Sequence, residues 1–119
     1  MPRRAQPVDA GAALDEVADA VHRVAILLAA GLDPGAALRA LHPAPPPLAA
    51  AAACAGPLDV PDALVAAAAA EEDAVRRAWG LLAACWEVAS ESGAPLAATL
   101  ERAAESIRAL ADAERQVEL

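Results

Sequence analysis

One phrase, used three times, limits what this chain can fold into. It reads Gly31-Leu32-Asp33-Pro34-Gly35-Ala36-Ala37-Leu38, then Gly56-Pro57-Leu58-Asp59-Val60-Pro61-Asp62-Ala63-Leu64, then Gly93-Ala94-Pro95-Leu96-Ala97-Ala98-Thr99-Leu100. A glycine just past a helix end takes the left-handed conformation without a Cβ clash. A proline shortly after it cannot continue the old helix but suits the first turn of the next. The phrase therefore predicts helix-to-helix corners at Gly31, Gly56 and Gly93, and an all-α fold.

Composition agrees. In 119 residues, about a third are Ala, aromatics are 2%, and neither Phe nor Tyr occurs. Ala has the best helix propensity and buries little area, so many helices must pack closely on a thin core. The positive mean hydropathy of +0.36 is mainly an alanine effect. The longest apolar runs, Val24 to Leu32 and Trp79 to Trp86, fall short of the ~20 residues that span a bilayer. The basic opening Met1-Pro2-Arg3-Arg4 lacks the apolar stretch of a secretory signal. A net charge of −8 argues against nucleic acid as a partner and against adhesion of this domain's own surface to anionic lipid.

The predicted organisation is a flexible leader over 1–13 and a six-helix bundle over 14–119. Helix one is expected from about Leu14 to Ala30, with Leu14, Val17, Val21, Val24 and Leu28 on its buried face and Asp15, Glu16 and Asp19 in its first turns. Asp33 caps a short helix with Pro34 at its first position, ending near Leu41. His42 to Pro47 reads as a stiff extended connector. Short helices follow over Leu48 to Ala55 and about Pro61 to Ala70. A longer one runs from Glu71 to about Ser92, either separate from the last or continuous with it, with Val75, Trp79, Leu82, Trp86 and Ala89 facing inward. Glu72 with Arg76 and Asp73 with Arg77 have the i,i+4 spacing of weak ion pairs. The last helix carries the stripe Leu96, Leu100, Ala103, Ile107, Leu110 and Val117.

No catalytic constellation is legible, so the chain reads as a non-enzyme without cofactor. His22, His42, Cys54 and Cys85 match no zinc spacing with close pairs, and the two cysteines read as small buried apolar residues. Without Lys there is no phosphate-binding Gly-rich loop of the lysine type. The run Glu71-Glu72-Asp73 reads as a solvated face, and Glu87 with Glu91 as an acidic stripe one turn apart. Trp79 and Trp86, one heptad apart, are the expected core anchors.

With the corners placed, four segments carry a resemblance: Val24-Ala25-Ile26-Leu27-Leu28-Ala29-Ala30-Gly31-Leu32, Ala37-Leu38-Arg39-Ala40-Leu41, Asp62-Ala63-Leu64, and Ser90-Glu91-Ser92-Gly93-Ala94-Pro95-Leu96 continuing to Ala104. In order and spacing, from about Leu14 to Leu119, the chain resembles the cytoplasmic domain of the F-type platform proteins of type II secretion and type IV pilus systems. Its nearest likeness is to the tight-adherence (Flp pilus) form of actinobacteria.

The resemblance implies a six-helix bundle on the cytoplasmic face of the bacterial inner membrane. The bundle would be anchored by flanking transmembrane helices absent from this chain, and would work with an assembly ATPase, a second platform subunit and pilin. The secretion-type branch has a Gly-Glu-x-Ser-Gly phrase before the last helix. Here Ser90 occupies the Glu position and Glu91 is shifted by one, so that branch's carboxylate metal site does not carry over. Asp15, Glu16, Asp19, Glu87 and Glu91 are the expected partner-binding residues, offering acidic faces to a basic patch, and Arg3 and Arg4 would follow a membrane helix on its cytoplasmic side. The alternative is a free-standing soluble helical adaptor; homo-oligomerisation is left open.

Overall fold

Asp9 caps the first helix: its carboxylate accepts from the Ala12 amide at 3.0 Å and starts α1 (Ala10–Ala29). The computed structural model describes residues 9–54 and 56–118. The helix therefore starts four residues before the expected Leu14, because Asp9 is the cap and Ala10, Ala12 and Ala13 are strong helix formers. Residues 10–13 accordingly belong to α1 and not to a leader. Residues 1–8, with Arg3 and Arg4, lie outside the described residues. The early start also moves Asp15 and Glu16 out of the first turn, which holds no acid.

Five further helices follow: α2 (Pro34–Ala40), α3 (Pro46–Ala53), α4 (Val60–Ala68), α5 (Asp73–Ser92) and α6 (Leu96–Glu118), with a short 3-10 turn at Pro57–Asp59. No strand occurs among the described residues. Asp33 caps α2 through the Ala36 amide at 2.9 Å, with Pro34 at the first position, as the spacing predicts. The expected connector His42 to Pro47 is shorter than predicted. Pro46 and Pro47 form the first turn of α3, where a missing amide hydrogen costs no bond. Glu72 caps α5 through the Ala74 amide at 3.0 Å and leaves α5 separate from α4.

Two of the three corner glycines act as predicted. Gly31 has φ +104°, and the Leu32 amide reaches back to the Leu27 carbonyl at 3.2 Å, closing α1 in a Schellman turn. Gly93 ends α5 at φ +74°. Gly56 differs. At φ −168° it is plain extended backbone ahead of the 3-10 turn, while α3 has already ended at Ala53. Gly31→Ala and Gly93→Ala should therefore each cost about 1–2 kcal/mol, and Gly56→Ala no more than about 0.5 kcal/mol. Equal losses at all three in thermal melts would contradict these backbone assignments.

The long helices α1, α5 and α6 make the centre, and α2, α3 and α4 lead from the end of α1 round to the start of α5. The pair α1 and α6 packs most extensively and runs antiparallel. Asp15 meets Arg115, Asp19 meets Arg108 at 3.3 Å, and His22 meets Glu101 at 2.5 Å. Small residues set this close approach: Ala18 on α1 and Ala104 and Ala111 on α6 are all fully buried. Trp79 and Trp86 are each 1% exposed and supply the largest side chains of the core.

The inner face of α5 is as predicted, with Val75, Trp79, Leu82, Trp86 and Ala89 all buried. The α6 stripe is only partly so. Leu100, Ala103 and Ile107 are buried, but Leu110 is 43% and Val117 83% exposed. At 3.6 residues per turn the stripe passes from Ile107 to Ala111, which fits against α1 where a leucine would not. On α1, Leu28 is half-buried, while the rest of its predicted face is buried. Cys54 and Cys85 are free thiols and half-buried.

Candidate interaction groove

Residues of three separate elements enclose a groove of about 830 Å³. α1 forms one side. Its positions 13, 16, 17 and 23 recur at near-helical spacing, so Ala13, Glu16, Val17 and Arg23 face the opening, with Asp19 at the edge. The opposite side is the corner between α4 and α5 (Ala70, Glu71, Glu72) and the first turns of α5, where Val75 and Trp79 lie. The segment Pro43 to Pro47 closes the third side. Pro43 and Pro45 hold the non-helical part of this wall in place, where Ala-rich backbone would not stay extended, and Pro46 and Pro47 open α3.

The groove is apolar below and acidic above. Val17, Val75 and Trp79 are buried and belong to the core, so the floor is a continuation of it. Among the described residues the rim carries Glu16, Asp19, Glu71 and Glu72 against one cation, Arg23. Two of these carboxylates have internal duties. Asp19 accepts from Arg108 at 3.3 Å, and Glu72 caps α5. No described residue forms an ion pair with Glu16 or Glu71.

The expected partner-binding residues thus divide. Glu16 and Asp19 reach the groove. Asp15 does not stand on a free acidic face, because its carboxylate accepts from Arg115 Nη2 across the α1–α6 contact. Glu87 and Glu91 are exposed on the C-terminal half of α5, away from the groove. The predicted pairs Glu72–Arg76 and Asp73–Arg77 are replaced by Asp73–Arg76 at 2.6 Å, because Glu72 turns to its cap. Sequence reasoning missed Arg23 and the proline wall. A periodic reading of helices carries no signal for a wall that begins in the non-helical Pro43 to Pro45 and ends in the first turn of α3.

The start of α1 and the end of α6 meet at one pole. Beside Gly11 in the first turn of α1, a methyl group would stand 2.8 Å from Arg115 Cγ, and Arg115 also pairs with Asp15 and, at 3.0 Å, with Asp112. The hydrogen bond to Asp15 is the chief cause that raises the Arg115 guanidinium above its ordinary value. These groups are about 40% exposed, so solvent screens the pair. Asp15→Asn should cost less than about 1 kcal/mol in a denaturant titration, and a loss of several would show a desolvated pair instead.

No three His, Cys, Asp or Glu side chains among the described residues come together as a metal site. No helix among them is long and apolar enough to cross a membrane. No protein-family model, curated protein or solved structure matches the chain.

Proposed function

We propose that this domain is a non-enzymatic scaffold: the cytoplasmic domain of an inner-membrane platform for Flp-type pilus assembly or type II secretion. The observation that carries the reading is the meeting of both ends of the bundle at one pole, Gly11 against Arg115. A domain inserted between two membrane helices needs its entry and exit side by side. A second support is where the resembling segments fall. Val24 to Leu32 is the end of α1 with its Schellman turn, and Ser90 to Ala104 is the corner from α5 into α6.

In this reading the assembly ATPase or a second platform subunit binds the acidic surface weakly, through its own basic patch. The test is capture of the ATPase and platform proteins of the same gene cluster by the purified chain. Capture is expected at about 0.05 M salt and should fall away near 0.5 M, where charge attraction is screened within a few ångströms. No capture at low salt, or the absence of such a cluster around the gene, would remove the platform assignment. A free-standing adaptor would then remain, built on the same bundle.

A further inference from the structure

We infer that the groove between α1, the Pro43–Pro47 wall and the start of α5 binds a basic amphipathic segment of a partner protein, with its apolar side chains on the Trp79 floor and its cations on the acidic rim. Identification of the partner as a platform component rests on the proposed function; the chemistry of the segment does not.

The occupant follows from charge and shape together. With Asp19 paired to Arg108 and Glu72 capping α5, Glu16 and Glu71 carry the acidity of the rim, and they stand on opposite sides of the opening, one on α1 and one before α5. A cationic segment lying between them would be held from both sides. An anionic segment would be repelled from both. The floor demands the second property. A volume of 830 Å³ over Val17, Val75 and Trp79 is room for several apolar side chains, the anchors that an amphipathic helix presents at i, i+3 or i+4, and i+7.

A purely polar cation would leave that floor wet. A purely apolar segment would leave the rim carboxylates facing hydrocarbon, at a desolvation cost. The groove also includes Ala13, one turn from the pole where α1 begins and α6 ends. Under the platform reading it would lie near the membrane, where cytoplasmic stretches beside membrane helices are rich in Arg and Lys.

The probe is a synthetic peptide of about four helical turns, with Leu at i, i+3, i+4 and i+7 spacing on one face and Arg on the other. It is titrated calorimetrically into the full chain beside two relatives, one with Ser for Leu and one with Glu for Arg. The Arg/Leu peptide should bind, and both relatives should bind at least about tenfold more weakly. Joint Glu16→Arg and Glu71→Arg reversal should weaken binding by about tenfold or more. Ala70→Trp, which fills the groove without changing charge, should abolish it. Circular dichroism of each variant checks that the helices persist.

Failure of the Arg/Leu peptide to bind overturns the proposal. So does undiminished binding by the reversed variant or by Ala70→Trp, or equal binding of either relative. A concentration-dependent dimer that Ala70→Trp dissolves would make a second copy the occupant and overturn the partner proposal. Tighter peptide binding after Arg3→Glu with Arg4→Glu would make the chain's own basic opening the occupant, with the same consequence. Peptide binding without ATPase capture removes the platform assignment and leaves the groove; capture that survives Ala70→Trp keeps the platform assignment and overturns a platform component as the occupant of the groove.

Discussion

Replacement of Trp79 or Trp86 by Ala should each cost about 3–5 kcal/mol of folding stability. Both indoles are 1% exposed and stand one heptad apart on the inner face of α5, where no other aromatic side chain occurs. An Ala-rich core has little to spare around them. The neighbours Ala78, Ala83 and Ala89 are too short to collapse into the space an indole leaves. A loss of that size is a large part of the roughly 5–15 kcal/mol that holds a domain together. Urea titration of the two variants is the measurement. Costs below about 1 kcal/mol at both positions would place the indoles at the surface and contradict the packing. Trp79→Ala should also weaken the Arg/Leu peptide, because Trp79 lies under the groove; Trp86→Ala should not.

The second large effect is of the opposite kind. Ala18 on α1 and Ala104 on α6 are completely buried along the most extensive helix contact of the molecule. Ala18→Leu or Ala104→Leu should cost about 1–3 kcal/mol, because the added methylenes must push apart helices whose spacing small residues set. At Leu110, which is 43% exposed on the same helix, substitution by Ala should cost less than about 1 kcal/mol. A stabilising effect of Leu at position 104 would reveal an unfilled cavity between α1 and α6.

Features written into a short stretch of sequence were legible. The corners at Gly31 and Gly93, the Asp33 cap and the inner face of α5 depend on residues within a few turns of one another. Gly31 and Gly93 adopt the positive φ expected of them. Gly56 does not, because Cys54 ends α3 first, and nothing local distinguishes a glycine that closes a helix from one that opens a 3-10 turn.

Periodicity also led the α6 reading astray at Leu110 and Val117. Hydrophobicity favours those residues, but the closeness of α1 favours Ala111. The contacts that decided which acidic residues remain available are remote in sequence. Arg115 claims Asp15 and Arg108 claims Asp19, across 100 and 89 residues. The groove itself was legible only in parts: Glu16, Asp19 and Glu71 were seen as acidic surface, but their convergence depends on how α1, the proline wall and the start of α5 pack.

Both ends of the bundle meet at one pole, and a spin-label distance tests that directly. With Cys54 and Cys85 first replaced by Ser, labels are attached to cysteines placed at Ala12 and Ala113, both exposed, one in the first turn of α1 and one near the end of α6. Antiparallel helices packed about 10 Å apart predict a separation below about 25 Å, labels included. A separation of about 30 Å or more, the full length of α1, would place the ends at opposite poles and contradict the account.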